Sequence, residues 1–235
     1  TTFARELELR CLTLFSFSAQ NWRRPPQEVA GLMLLLEEYC EQELKTLMDN
    51  DIRLSVIGTL GRFPESTRRA VHHVMNETDQ NRSMTLTLAL DYGGREEMIA
   101  ATQRLARDVA AGRLDPADVD EEAISSRLDT AGLPDPDLII RTSGERRISI
   151  FLLFQMAYAE LHFIDVRWPD FGRPDFAQAL WDFAGRDRRF GGLTASQDEA
   201  LESPTDLVEA VTEAQRARRS GRSLGLTVEK GTGTC

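Results

Sequence analysis

Three arginines and a serine are the residues in this sequence best spaced to act together. Arg141, Arg146 and Arg147 fall within seven positions and Ser149 follows. All come directly after the apolar run Leu138-Ile139-Ile140. Planar guanidinium groups pair with phosphate or carboxylate oxygens two at a time. Cations and small hydroxyl residues delivered by the end of a short apolar strand therefore point to an oxyanion site. Glu160 stands at the far end of the same stretch, Asp137–Phe163, beyond the apolar block Phe151–Ala159. A solvated charged turn after a core strand fits the same residues, because most surface arginines hold nothing specific.

Two other segments place polar or glycine residues after an apolar run. Cys11–Ser18 (CLTLFSFS) leads into Asn21, Trp22, Arg23 and Arg24 before a Pro pair. Met84–Tyr92 (MTLTLALDY) leads into Gly93-Gly94-Arg95. Ser18 and Asn21 also suit turn formation and helix capping. Paired glycines permit a tight turn or close backbone approach to a ligand, but a bare GGR is a weak phosphate signal, and the chain has no Walker pattern. His72 and His73 are adjacent, so they point apart and read as surface residues rather than as a metal pair.

The elements that must position these groups alternate. Thr2–Arg10 reads as the end of a helix. Strands are predicted at Cys11–Ser18, Ile52–Gly58, Met84–Tyr92 and Leu138–Ile140, with a further one at Phe163–Arg167. Helices are predicted at Gln27–Asp49, Glu65–Asn76, Glu96–Ala111, Glu121–Ala131 and Asp175–Ala184. The longest, Gln27–Asp49, carries a broad apolar stripe that suits packing on a sheet. This alternation gives an α/β fold with a mainly parallel central sheet flanked by helices. Ligands in such sheets sit outside the carboxyl ends of the strands. If the three strands are parallel, the loops Ser18–Arg24, Gly93–Arg95 and Arg141–Arg147 converge on one edge. The compact domain is read as 1–193. The Gly-, Ser- and Thr-rich tail 194–235 is expected to be disordered, apart from weak helical patterning at Asp206–Arg219.

Bulk properties narrow the choice of ligand. With 235 residues and 41% hydrophobic content, the chain can bury a sizeable core. A formal net charge of -10 argues against a nucleic-acid partner, which favours a basic face. An anionic ligand must then be held by a local cation cluster. The three cysteines, Cys11, Cys40 and Cys235, have no CxxC spacing and suggest a reducing, cytoplasmic setting without disulfides. No signal peptide and no bilayer-length apolar run is expected.

The motifs of Thr2–Gly192 resemble one family, the cis-prenyltransferases, typified by bacterial undecaprenyl diphosphate synthase. The resemblance rests on TLFSFSAQNWRRP with Glu28 after it, LDYGGR, DLIIRTSGERRISIFLLFQMAYAELHF, and WPDF followed by RRFGG. It implies repeated joining of isopentenyl diphosphate to an allylic diphosphate such as farnesyl diphosphate, assisted by Mg²⁺. Arg141, Arg147 and Ser149 match the family's binders of isopentenyl diphosphate. Glu160 matches a carboxylate that helps hold Mg²⁺ across a dimer interface. Ser18, Asn21 and Trp22 match the loop beside the allylic substrate and the proton-removal step, with Ser18 and Asn21 taken as catalytic. Arg24 and Glu28 match a mobile segment that closes over the substrates. Arg189 and Gly191 match an Arg-x-Gly element that reaches into the partner subunit's site. Met84 and the helix from Gln27 match the walls of a tunnel for the growing chain. A homodimer is implied, with a polyprenyl diphosphate lipid-carrier product delivered to the membrane from a cytoplasmic or membrane-peripheral position.

The sequence departs from the family pattern in several places. The family's first strand ends in an MDGNGRW-like motif whose Asp binds Mg²⁺ and diphosphate, and the twenty-one residues before Trp22 contain no Asp. Ile150 stands where Asn is usual after the Ser. Gln20, Phe154 and Arg146 replace common Glu, Trp, and Gln or His. Three readings follow. The chain is a synthase seen without its first strand, a non-catalytic homologue that pairs with an active subunit, or a binder of isoprenyl diphosphates. On the missing motif, only trace synthase activity is expected of this chain alone.

Overall fold

Three β-branched and leucine-rich runs separated by helices make the core of the fold. A computed structural model describes residues 1–186. Arg189, Gly191 and the whole of the tail 194–235 lie outside the described residues. The elements in order are α1 (Thr2–Glu6), β1 (Cys11–Ser18), α2 (Pro26–Asp49), β2 (Ile52–Gly58), α3 (Glu65–Glu77), β3 (Met84–Tyr92), α4 (Gly94–Ala110), α5 (Glu121–Ser125), β4 (Leu138–Arg141), β5 (Glu160–Phe163) and α6 (Arg173–Ala184).

The chain divides into two compact units. One comprises Thr1–Ile139 with Arg146–Leu161; the other comprises Ile140–Glu145 with the segment from His162 onward. In the first unit β1, β3 and β2 form a parallel sheet in that order. The central strand β3 is buried over nearly its whole length, which is why it reads as a continuous apolar run. Its two neighbours are in register with it from Cys11↔Thr85 and Ile52↔Met84 onward. All three carboxyl ends therefore lie at one edge.

Pro26 opens α2 at a position where a missing N–H is harmless, and Glu28 in the first turn favours the positive end of the helix dipole. The buried residues Met33, Cys40 and Leu47 repeat every seven residues. That seam is narrower than the broad stripe read from the sequence, and Leu34, Leu35 and Tyr39 are exposed. The helix packs on α3 and β2, and Glu37 accepts hydrogen bonds from Ser66 (2.9 Å) and Thr67 (2.5 Å). No helix among the described residues is long and apolar enough to cross a membrane.

Three expectations are corrected. The run Leu138–Arg141 does not join the main sheet; it pairs with β5 in a separate two-stranded ladder. The strand predicted at Phe163–Arg167 is shifted back to Glu160–Phe163. Beyond it, Ile164 and Val166 accept hydrogen bonds from the loop amides of Gly144 and Ser143, so a loop replaces the strand. The helix predicted at Glu121–Ala131 ends at Ser125. There the side chain of Arg127 turns back to Asp108 and to the carbonyl of Ala123, and turns replace further helical bonds.

Candidate active site

The carboxyl edge of the three-stranded sheet collects three loops, and two of them are those predicted. After β1, Ala19–Arg23 forms a tight 3-10 turn. Asn21 Oδ1 accepts the backbone N–H of Ser18 at 2.8 Å, so Asn21 caps the turn. That bond fixes its amide with one oxygen lone pair and both N–H donors still available. Trp22 is held by edge-on aromatic contacts to Phe17 (5.0 Å) and Phe63 (5.3 Å). Arg24 and Glu28 are exposed and paired at 2.5 Å, a pairing that contributes little on its own in water.

The third loop at this edge is the one after β2, Thr59–Pro64, and it brings Arg62. Sequence reasoning passed over this residue. Arg62 Nε donates to Asp91 Oδ2 at 2.8 Å, and Nη2 donates to Asp91 Oδ1. Asp91, the Asp of LDYGGR, has its side chain only 1% exposed, against 54% for Arg62. The guanidinium also lies over the Trp22 ring, 5.0 Å from its centroid, within cation–π range. Hydrogen bonding to Asp91 raises the pKa of Arg62 further, so it stays charged. The signal that could have found it was topological: an Arg four residues beyond the end of a parallel strand must share an edge with the loops of its neighbours.

A cleft of about 360 Å³ opens here. It is walled by Trp22, two prolines and the first turns of α2 through Val29, Ala30 and Met33, with Arg24 and Arg62 as its cations. The volume falls in the range of small-ligand sites. Met84, the other residue matched to a tunnel wall, is 1% exposed. It sits at the amino end of β3, opposite Ile52, and is not part of this lining.

Gly93 and Gly94 do permit a close approach, but to protein rather than to ligand. The Gly94 N–H donates to the carbonyl of Ile150 at 2.8 Å, and a Cβ there would meet that oxygen at 2.7 Å. Phe151 stacks on Phe15 at 4.8 Å, and Leu152 is buried with Ile57, Ala89 and Tyr92. Glu97 on α4 ties this block down. It accepts from Tyr92 Oη (2.6 Å), from Gln155 Nε2 (3.1 Å) and from the N–H of Asp129 (2.9 Å). Ile150, which follows Ser149, is thereby anchored at the amino end of α4. Ser149, Ile150 and Leu152 all have positive φ, at 48°, 59° and 47°.

Arg141 belongs to the second unit. It pairs with Glu145 at 2.7 Å, and its Nε is buried without a hydrogen-bond partner. The loop that follows is pinned by Ser143 N–H to Val166 O (2.8 Å) and Gly144 N–H to Ile164 O (3.0 Å). Glu160, in the first unit, opens β5 with its N–H bonded to Asp137 O at 2.9 Å. Among the described residues no group of three or more His, Cys, Asp or Glu side chains could hold a metal. Mg²⁺ demands less, because it keeps waters and takes substrate phosphates beside one or two carboxylates. Glu160, half-buried, is a single carboxylate of the kind such a site uses.

The chain resembles known proteins over most of its length. The family model described as "Putative undecaprenyl diphosphate synthase" matches residues 1–191. An isoprenyl transferase of Geobacillus kaustophilus is 48% identical over 195 residues, covering 83% of this chain and 76% of that protein. One from Rhizobium meliloti is 48% identical over 191 residues, covering 81% and 77%. Among solved structures, lavandulyl diphosphate synthase from Lavandula x intermedia, in complex with dimethylallyl diphosphate, superposes with a TM-score of 0.79 at 36% identity, covering 81% of this chain and 82% of that one.

Proposed function

The chain belongs to the undecaprenyl diphosphate synthase family of prenyltransferases, and from that premise we propose that it elongates an allylic diphosphate with isopentenyl diphosphate to give a polyprenyl diphosphate lipid carrier. The observation that carries this reading is the cleft at the sheet edge, apolar along α2 and cationic at Arg24 and Arg62. An amphiphile with a diphosphate head and a hydrocarbon tail matches that division. Each CH₂ of the tail taken from water gains roughly 0.8 kcal/mol, so a wall of Val29, Ala30 and Met33 favours the prenyl chain over a polar ligand.

In the reaction the allylic C–O bond breaks, diphosphate leaves, and isopentenyl diphosphate attacks to form the new C–C bond before losing a proton. Arg147 and Ser149 hold the isopentenyl diphosphate. Ser18 and Asn21 flank the allylic carbon and orient the substrates there by hydrogen bonds, and the departing proton passes to the released diphosphate. Trp22 covers the allylic end. Arg24 and Glu28, paired and exposed, form the closing segment. Glu160 is the residue that would hold Mg²⁺, which neutralises charge on the leaving diphosphate when bound. The enzyme works as a homodimer. It acts in the cytoplasm and passes its product to the membrane.

The test is incorporation of labelled isopentenyl diphosphate into solvent-extractable polyprenyl product with farnesyl diphosphate and Mg²⁺. It is run on this chain and on the chain extended by the reading frame upstream of Thr1. Product that disappears on chelation with EDTA supports the reading. No product from either form overturns it.

A further inference from the structure

Arg62 is built more carefully than a surface arginine needs to be. Two of its five N–H donors are spent on the buried carboxylate of Asp91, and its face is covered by Trp22 at 5.0 Å. Trp22 is in turn fixed by Phe17 and Phe63. The side chain still remains 54% exposed and lines the cleft. Its remaining three donors make no hydrogen bond among the described residues. Asp91 holds this arrangement at a backbone φ of 48°, a conformation uncommon for a residue with a side chain.

A guanidinium gripped along one edge and one face has lost most of its rotamer freedom before any ligand arrives. Such preorganisation lowers the entropy lost on binding. Arg24, by contrast, lies exposed in a pair with Glu28 and must be reoriented. With the anion partner and the apolar wall in one cleft, we propose that Arg62 is a further binding residue of the allylic-diphosphate site. Clamped by Asp91 and Trp22, it donates to a diphosphate oxygen while the prenyl tail runs along α2. This rests on the functional reading above and adds to it a residue that the family motifs did not supply.

Calorimetric titration of the full chain with farnesyl diphosphate and Mg²⁺, without isopentenyl diphosphate, tests this. Farnesol serves as the ligand that lacks the charged head. Arg62→Gln is expected to weaken farnesyl diphosphate binding by roughly 10- to 100-fold, the range for a lost hydrogen bond to a charged group. Arg62→Lys is expected to restore only part of it, because Lys keeps the charge and loses the fork. Farnesol affinity should be unchanged in both. Equal farnesyl diphosphate affinity in Arg62→Gln and the unsubstituted chain overturns the assignment and leaves the elongation reading standing. Parallel loss of farnesol and farnesyl diphosphate also overturns it, since the residue would then only shape the cleft. Failure of the unsubstituted chain to bind farnesyl diphosphate overturns it together with the allylic cleft.

Discussion

Ile150 is the residue where sequence and backbone disagree. It is β-branched, yet its φ is 59°, in the left-handed region that costs an ordinary L-residue about 1–2 kcal/mol. Asn, which the resemblance places at this position, tolerates that region far better. Ile150→Asn is therefore expected to raise stability by about 1 kcal/mol, less whatever the lost contact of Ile150 Cδ1 near Gly93 contributes. A urea midpoint that moves up at unchanged slope confirms this, and a lower midpoint refutes it. At the neighbouring site proposed for isopentenyl diphosphate, Arg147→Ala should weaken its binding by about 1.5–3 kcal/mol, read by calorimetry; unchanged affinity removes Arg147 from the site. Arg147, Ser149 and Asn21 were legible as motif residues. Arg62 and Asp91 were not, because their partnership joins positions 29 apart in the sequence and nothing local to either marks it. The capping role of Asn21 was legible, since its bond to Ser18 is a local one.

Elements were readable where a single period ran uninterrupted. Cys11–Ser18, Ile52–Gly58 and Met84–Tyr92 match the observed strands in full, and α2 begins one residue early because Pro26 is a natural first helical residue. Leu138–Ile140 was readable as a strand but not as to its partner, because hydrophobic pattern sets which face is buried and leaves open which edge is paired. Two glycines show how an element's interior and its end differ. Gly31 is in mid-helix, and a Cβ added there would meet nothing within 4 Å, so Gly31→Ala should stabilise the fold by about 0.5–1 kcal/mol through helix propensity. Gly58 closes β2 at φ 92°, and a Cβ there would stand 2.2 Å from the carbonyl oxygen of Leu90. Gly58→Ala should cost about 2 kcal/mol or more, combining strain and overpacking. Thermal melts of the two variants should move in opposite directions; a common direction would show that the glycines act through something other than these local geometries.

At the scale of the whole molecule, the buried titratable groups make the fold sensitive to alkali. Burial, aided by Glu37 and Glu41, pushes the Cys40 thiol up to about 11. Burial and the hydrogen bond to Glu97 raise Tyr92, and burial raises Cys11. Each of these groups holds its proton more tightly folded than unfolded. As pH climbs through the ordinary values of 9.0 for cysteine and 10.0 for tyrosine, the unfolded chain ionises first and gains stability relative to the fold. Their contribution is full below pH ~8 and is lost as pH rises toward the folded values. The acid side behaves oppositely. Hydrogen bonds from Ser83 and the Arg82 backbone hold Asp51 below its usual range, as Arg113 and Arg127 do for Asp108. That stability is lost as pH falls through the lowered values, and Asp135, raised by burial, works against the trend. Stability should therefore be level between about pH 6 and 8 and fall from about pH 9 upward. The rise at Cys40 to about 11 corresponds to at most roughly 2–3 kcal/mol. Urea midpoints at pH 7 and pH 10.5 should thus converge in Cys40→Ala by up to that amount, with a remainder left by Tyr92. An alkaline loss as large in Cys40→Ala as in the unsubstituted chain would show that the buried thiol on α2 has no part in it.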